Sequence, residues 1–348
     1  MKSKILFFCL LAMLLACVPF HFVSAQGIQF MDYKKCTMND VLEKAQAENK
    51  YIFVDIWTPW CGVCKMMDRY IFPRKDVGEL FNNKFVNISF DAENSGWTDV
   101  AKNFNATAYP TMLMLNPQGE IVWNIDNLGI PMEEDLTKNE SAVAGRLMAQ
   151  AKMAEELLTM PDDRFIGKEN WTYLYRQTPG FDSKVFDRTI QLQDTLMALY
   201  PVEFSRMVKN SLGSAAVNMT VSVNHRPVPN EHKMNQYREV VEKLHLSDKN
   251  SLLVDMEITV SLRVKDWQQS LQIVTASEKY MTPGTYATIM DEMAENCSDK
   301  KLLQQAVNVT ENAFQETLSS KDKEMLAPLY NKLVDASEIA NAEARKKH

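Results

Sequence analysis

Trp60-Cys61-Gly62-Val63-Cys64-Lys65 is the stretch that decides this chain. Two cysteines separated by two residues can close a small disulfide ring. Ahead of them, Tyr51 to Trp57 is an apolar, β-type run with one carboxylate, Asp55, inside it. Behind them, Met66, Met67 and Tyr70 continue a segment of helical character, which Pro73 breaks or kinks. A Cys-x-x-Cys at a strand-to-helix turn is a redox motif more often than a zinc site. Structural zinc wants four ligands, usually from two close pairs. Beyond residue 25 the other cysteines are Cys36 and Cys297, far apart in sequence. No metal site is expected, and those two are read as independent thiols in preference to a disulfide.

Working outward, Ile52, Val54 and Ile56 alternate with Phe53, Asp55 and Trp57. Apolar residues on both faces predict the central strand of a covered sheet. Upstream, Thr37 to Asp40 is a helix start, and Val41, Leu42, Ala45 and Ala47 fill the turns up to Lys50. Downstream, Val77, Leu80 and Phe81 carry a helix to Asn83. Phe85 to Phe90 is a second strand, closed by Asp91, and Thr98 to Phe104 a short helix. Met112 to Leu115 is a third strand. Asn116-Pro117-Gln118-Gly119 is a turn with Pro at its second position, and Glu120 to Ile125 returns as a fourth strand. Strands that alternate with helices and end in a hairpin give an α/β domain with a mixed, covered sheet.

From about Thr37 to Val122 this pattern resembles the thioredoxin superfamily. It is similar to the thioredoxin-like domains of secreted bacterial proteins, including the soluble reducing domain of the disulfide-interchange reductases. The likeness rests on Val54-Asp55-Ile56-Trp57, the hexapeptide, Asp91, Tyr109-Pro110-Thr111 and Asn116-Pro117-Gln118-Gly119. An Asp six residues before the first Cys and a Pro-Thr 46 residues after the second make it specific. It covers about a quarter of the chain.

Cys61 is expected at a helix N-terminus, where free N–H groups and the helix dipole favour an anion. The thiolate is the nucleophile, and such motifs lower its pKa from about 8.5 to roughly 3.5–7.5. Cys61 would attack a substrate disulfide, and Cys64, one turn in and more buried, would resolve the mixed disulfide. The resemblance implies that Asp55 sits behind Cys64 as a general base and that Pro110 is a cis proline. Trp60, Gly62, Val63, Tyr109, Pro110 and Thr111 are expected to contact substrate, with Trp57 packed beneath. No cofactor is expected beyond the Cys61–Cys64 pair. Val63 replaces a proline common between the cysteines of cytosolic reductants. Asn87 aligns with a buried lysine of thioredoxins, which leaves Asp55 without its cationic neighbour. Strong oxidants of this fold often carry a histidine between the cysteines, and none is present here. The expected activity is reduction of protein disulfides. The alternatives are a disulfide oxidase or isomerase, or a non-catalytic binding or assembly factor on the same fold.

Residues 1–25 read as a signal peptide: Lys2 and Lys4, the apolar run Ile5 to Val18, then Val23-Ser24-Ala25 as a cleavage pattern. The mature chain would start near Gln26 in an exported, bacterial periplasmic compartment. Leu14-Leu15-Ala16-Cys17 resembles a lipobox, so lipid anchoring at Cys17 is the lesser alternative. No later segment reaches the about 20 apolar residues that span a bilayer. The net charge of −7, with basic residues scattered among acidic ones, gives no support to a nucleic-acid partner. A reductase outside the cytosol needs electrons, so a membrane electron donor or acceptor is an implied partner, beside disulfide-containing protein substrates.

The thioredoxin-like domain is expected over 26–160 and a helical domain over 161–348. Polar residues from Asp126 to Glu140 predict a loop or insertion. Ala142 to Leu158 predicts a helix with Val143, Leu147, Ala151 and Ala154 on one face, and Met160 to Asp163 a boundary. Beyond it the pattern is helical, with few glycines: Trp267, Leu271 and Val274; Leu302, Ala306, Val309 and Ala313; Leu326, Leu329 and Leu333. Helix pairs near 266–296 and 301–343 recur at roughly the spacing of stacked helix-turn-helix repeats. Asn224 to Glu231 is read as a surface loop, and His225, His232 and His245 as solvated residues. This half carries no catalytic constellation and is expected to hold a protein partner or to cap or dimerise the first domain.

Overall fold

The computed structural model describes residues 27–125, 128–130, 133–223 and 226–346. The expected leader with its cleavage site, Cys17 and His225 lie outside the described residues. The N-terminal part is a five-stranded mixed sheet with helices on both faces, and a largely helical region follows.

The strands are β1 (Phe30–Asp32), β2 (Tyr51–Trp57), β3 (Phe85–Asp91), β4 (Thr111–Leu115) and β5 (Ile121–Ile125), in the order β1-β3-β2-β4-β5. β2 is central, parallel to β3 and antiparallel to β4, as its two apolar faces require. Ile52, Val54 and Ile56 pack under α1 (Met38–Glu48), with Val41 and Ala45. Phe53 faces the other way, against Met67, Phe81 and the long helix that follows β5. Thr37 starts α1 with a reciprocal cap: its N–H donates to Asp40 Oδ2 at 2.7 Å, and Asp40 N–H donates to Thr37 Oγ1.

After β2 come α2 (Gly62–Met66) and, directly continuing it, a π-helical turn, Met67–Ile71, that stops short of Pro73. α3 (Lys75–Lys84) and α4 (Thr98–Asn103) complete the layers. β1 lies outside the expected elements. It joins the edge of β3 because Gly27 lets the chain pass close to Phe72 and Pro73, and Ile28 N–H donates to Phe72 O at 2.8 Å.

Two expectations for the second half are corrected. The helix α5 (Glu133–Thr159) begins inside the stretch read as loop, so 133–140 is helical. Val143, Leu147, Ala151 and Ala154 are its buried face, as expected. The stretch read as a surface loop over 224–231 contains a strand. β6 (Thr220–Val223) and β7 (Arg226–Pro229) form a two-stranded antiparallel hairpin, and Glu231 already starts the next helix. The prolines are tolerated because a two-stranded ladder leaves an edge on each strand.

The helices after α5 are α6 (Asp162–Phe165), α7 (Lys168–Gln177), α8 (Lys184–Gln191), α9 (Gln193–Leu199), α10 (Pro201–Val217), α11 (Glu231–Lys243) and α12 (Lys249–Arg263). Four more follow: α13 (Trp267–Ala276), α14 (Pro283–Asn296), α15 (Lys300–Glu316) and α16 (Ser320–Lys346). α13 packs on α15 and α14 on α16, so the second helix pair stacks on the first. The apolar cluster that begins at Phe53 and Met112 continues through Leu147, Trp171 and Phe204 to Val260. A second cluster runs from Val254 to Leu333. No helix among the described residues is long and apolar enough to cross a membrane.

Candidate active site

The pair Cys61 and Cys64 forms a disulfide at the head of α2. Cys61 is the N-cap, and Cys64 N–H donates to Cys61 Sγ at 3.1 Å. Thr58 O accepts from Cys61 N–H at 3.0 Å and closes the turn from β2. Cys64 was expected to be the more buried. In the disulfide form the two are nearly equal, 5% and 4% exposed. Burial therefore does not distinguish the two sulfurs in this form, while the Cys64 N–H is aimed at Cys61 Sγ.

Asp55 is 2% exposed and faces the side covered by the π-helical turn, since it alternates with Val54 and Ile56 and shares a face with Phe53. Burial pushes its carboxyl up to about 7, offset by a hydrogen bond from Ser89 and reinforced by the Asp68 carboxylate one turn after Cys64. Ser89 Oγ donates to Asp55 Oδ2 at 2.7 Å, and Oδ1 has no partner among the described residues. The strand register shows what stands beside Asp55. Ser89 stands opposite Asp55, while Asn87 stands opposite Phe53 and gives its amide to Asn82 Oδ1 at 3.2 Å. The neighbour of Asp55 is thus a hydroxyl, and Asn87 serves the edge of the sheet.

Pro110 has a cis peptide bond to Tyr109 and directly precedes β4. Thr111 pairs with Ile56, which brings the Pro110 loop to the sheet end from which the Cys61 turn departs. Trp60 is 66% exposed, and its ring meets that of Tyr109 edge-on at 5.6 Å. Trp60 Nε1 donates to Glu93 Oε1 at 2.9 Å. Gly62 is exposed and Val63 half-buried beside this aromatic wall. Trp57 is half-buried and packs edge-on against Tyr33. Sequence reading missed Ser89, Glu93, Asp68 and the buried Thr58. None belongs to a motif, and only register or folding brings them to the site.

Cys36 and Cys297 are free thiols, both held above the ordinary thiol range chiefly by burial. Among the described residues no three His, Cys, Asp or Glu side chains cluster as metal ligands. His232 and His245 are exposed, and His245 Nδ1 lies 2.7 Å from Asp194 Oδ1.

A family model named Thioredox_DsbH, described as "Protein of unknown function, DUF255", matches residues 24–140. The thiol:disulfide interchange protein DsbD of Yersinia pestis is 32% identical over 76 residues, 22% of this chain and 13% of that protein. Its counterpart in Vibrio cholerae is 29% identical over 99 residues, 28% of this chain and 16% of that protein. The chain thus spans only a small part of these relatives. Among solved structures, a candidate disulphide-isomerase from Bacteroides thetaiotaomicron is 30% identical with a TM-score of 0.31, covering 38% of this chain and 98% of that one. A DsbH oxidoreductase is 15% identical with a TM-score of 0.26, covering 36% and 92%. A family model over residues 24–140, relatives among the thiol:disulfide interchange proteins and a covered five-stranded sheet agree, and the N-terminal domain of this chain belongs to the thioredoxin superfamily.

Proposed function

We propose that this protein is an exported thiol–disulfide oxidoreductase that reduces disulfides in protein clients. The observation that carries the reading is the Cys61–Cys64 pair heading a helix, on the face of β2 where a buried Asp55 has its carboxyl raised to about 7. In the reduced protein the Cys61 thiolate attacks one sulfur of a client disulfide. A mixed disulfide forms and the other client sulfur leaves as a thiolate. Asp55 takes the proton of Cys64, whose thiolate attacks Cys61 Sγ and expels the second client sulfur. Two electrons pass to the client, and the Cys61–Cys64 disulfide remains. An external dithiol, fed by a membrane electron donor, restores the reduced pair.

Charge around the pair favours this direction. A dithiol oxidises strongly when its thiolate form is stabilised. Gly62 and Val63 offer no such charge. Glu93 bonds Trp60, and with Asp91 it raises the Tyr109 hydroxyl, after burial as the larger cause. Negative potential on this side opposes a thiolate and suits a reductant. Cys61→Ser should abolish reduction of insulin disulfides, and Cys64→Ser should accumulate a mixed disulfide with the client. Alkylation trapping in cells should find Cys61 and Cys64 mostly as thiols. A mostly oxidised pair would instead mark an oxidase. A cellular phenotype that survives loss of both thiols would mark a binding factor.

A further inference from the structure

Ser89 is a polar, half-buried residue in an apolar strand. Phe85, Val86, Ile88 and Phe90 around it on β3 are all buried. A hydroxyl drawn from water into such a layer costs free energy unless it finds a partner. Ser89 finds one across the sheet. The parallel register sets it opposite Asp55, and its Oγ donates to Asp55 Oδ2 at 2.7 Å.

The other surroundings of Asp55 give it little help. Met112 stands opposite on β4, and Phe53 and Met67 belong to the apolar cluster on the same side. Among the described residues the one charged group that acts on it is the Asp68 carboxylate, on the π-helical turn, and no cation does. Ser89 is thus the group that favours the ionised form. Burial is the larger influence and pushes the carboxyl up, and the Ser89 hydrogen bond draws it back. A hydroxyl suits this place because it rotates. It donates to a carboxylate, and it accepts from the O–H of a carboxylic acid. The bond to the carboxylate is charge-assisted and the stronger of the two. Asp55 Oδ1, buried and without a partner among the described residues, is the oxygen left to take a proton.

We propose that Ser89 is a positioning residue of the exchange reaction: its hydroxyl holds Asp55 Oδ2 in both protonation states and reserves Oδ1 for the proton of Cys64. The proposal rests on the reading of Cys61–Cys64 as a disulfide exchanger with Asp55 as its base. In the resolving step the proton leaves Cys64 Sγ for Asp55 Oδ1. The Cys64 sulfur bonds to Cys61 Sγ, and the mixed disulfide breaks with its electron pair on the client sulfur. Ser89→Ala removes the donor and should keep Asp55 protonated to higher pH. Read by stopped-flow quenching of the mixed disulfide, the inflection of the resolving step should move up by about one pH unit. The rate at pH 7 should fall about five- to tenfold, as loss of a charge-assisted hydrogen bond implies. Ser89→Thr keeps the hydroxyl and should restore the parent profile. A residue that merely fills space would leave the inflection in place in both variants. The Asp55 carboxyl is also followed directly, by carbon nuclear magnetic resonance of the full-length protein with the Cys61–Cys64 disulfide intact, where the pair has no thiol to titrate. Its midpoint should rise in Ser89→Ala and match the parent in Ser89→Thr, with circular dichroism verifying the fold of each variant. A midpoint unmoved in Ser89→Ala, or a resolving-step profile that does not follow it, would overturn the proposal. A parent protein that exchanges no disulfide, in which Ser89→Ala still moves the carboxyl midpoint, would remove the oxidoreductase reading and keep the link between Ser89 and Asp55.

Discussion

Burial holds the Asp55 carboxyl at about 7 against an ordinary 3.8, so this residue changes charge across the neutral range. In its proposed role as the base for Cys64, Asp55 works only when ionised. The resolving step should therefore quicken as pH rises through about 7, and Asp55→Asn should remove that inflection. The rate loss should fall toward the low end of the about 10²- to 10⁴-fold range of general bases, read by stopped-flow quenching of the mixed disulfide. Stability moves the opposite way. Between pH 4 and 7 the folded chain keeps a proton that the unfolded chain has released. The stability contributed by this group is present below about 4 and is lost as pH rises through about 7. Asp55→Asn should thus raise the unfolding free energy at pH 8, by at most ~4 kcal/mol, and leave it unchanged near pH 4. A variant less stable than the parent at pH 8 would mean that Asp55 is anchored by more than Ser89. Asp55 and both cysteines stand out in the sequence as candidates because their spacing is local. Ser89 could not, because it sits one alternation from Asn87, and only the register of β2 on β3 selects which of them faces Asp55.

At the scale of elements, the strands with two apolar faces were legible and the short ones were not. β2 to β5 carry runs of Ile, Val, Phe, Met and Leu that a covered sheet demands. β1 has three residues and follows a single close approach of backbone to backbone at Gly27. A Cβ on Gly27 would lie 2.1 Å from Phe72 O and 2.4 Å from Pro73 Cα, with no side chain free to yield. Gly27→Ala should peel the N-terminal strand from β3. A loss of about 1–3 kcal/mol is expected for such overpacking, together with faster amide exchange at Ile28, whose N–H donates to Phe72 O, and along β1. Protection equal to the parent would show that the chain can shift past Pro73 at little cost. The β6–β7 hairpin was hidden for another reason: two prolines in four residues, Pro227 and Pro229, normally argue against a strand. The start of α5 was hidden because its first turns are rich in charge, which reads as loop when no apolar stripe accompanies it.

For the whole molecule, α12 joins two apolar cores. Leu252, Met256 and Val260 belong to the cluster that reaches back to Phe53, while Val254, Ile258 and Leu262 belong to the cluster of the last four helices. Steps of four residues on two opposite faces bury this helix from two sides, with the half-buried Asp255, Glu257 and Thr259 between them. The composition of α12 shows that burial, but no sequence pattern says which core owns which face. The two faces can be separated by substitution. An unpaired carboxylate in either core should cost several kcal/mol, because a buried charge without a partner is among the most damaging single changes. Ile258→Asp should loosen the stack of α13 to α16 and expose it to limited proteolysis, with the far-ultraviolet signal partly kept. Met256→Asp strikes the core shared with the sheet that carries Cys61. It should lower the unfolding midpoint of the N-terminal domain as well, and with it the protection of amides in β2 and β4. If the two variants instead gave the same proteolytic pattern and the same midpoint, the two clusters would be one cooperative unit, and the sheet would depend on helices as far away in sequence as α16.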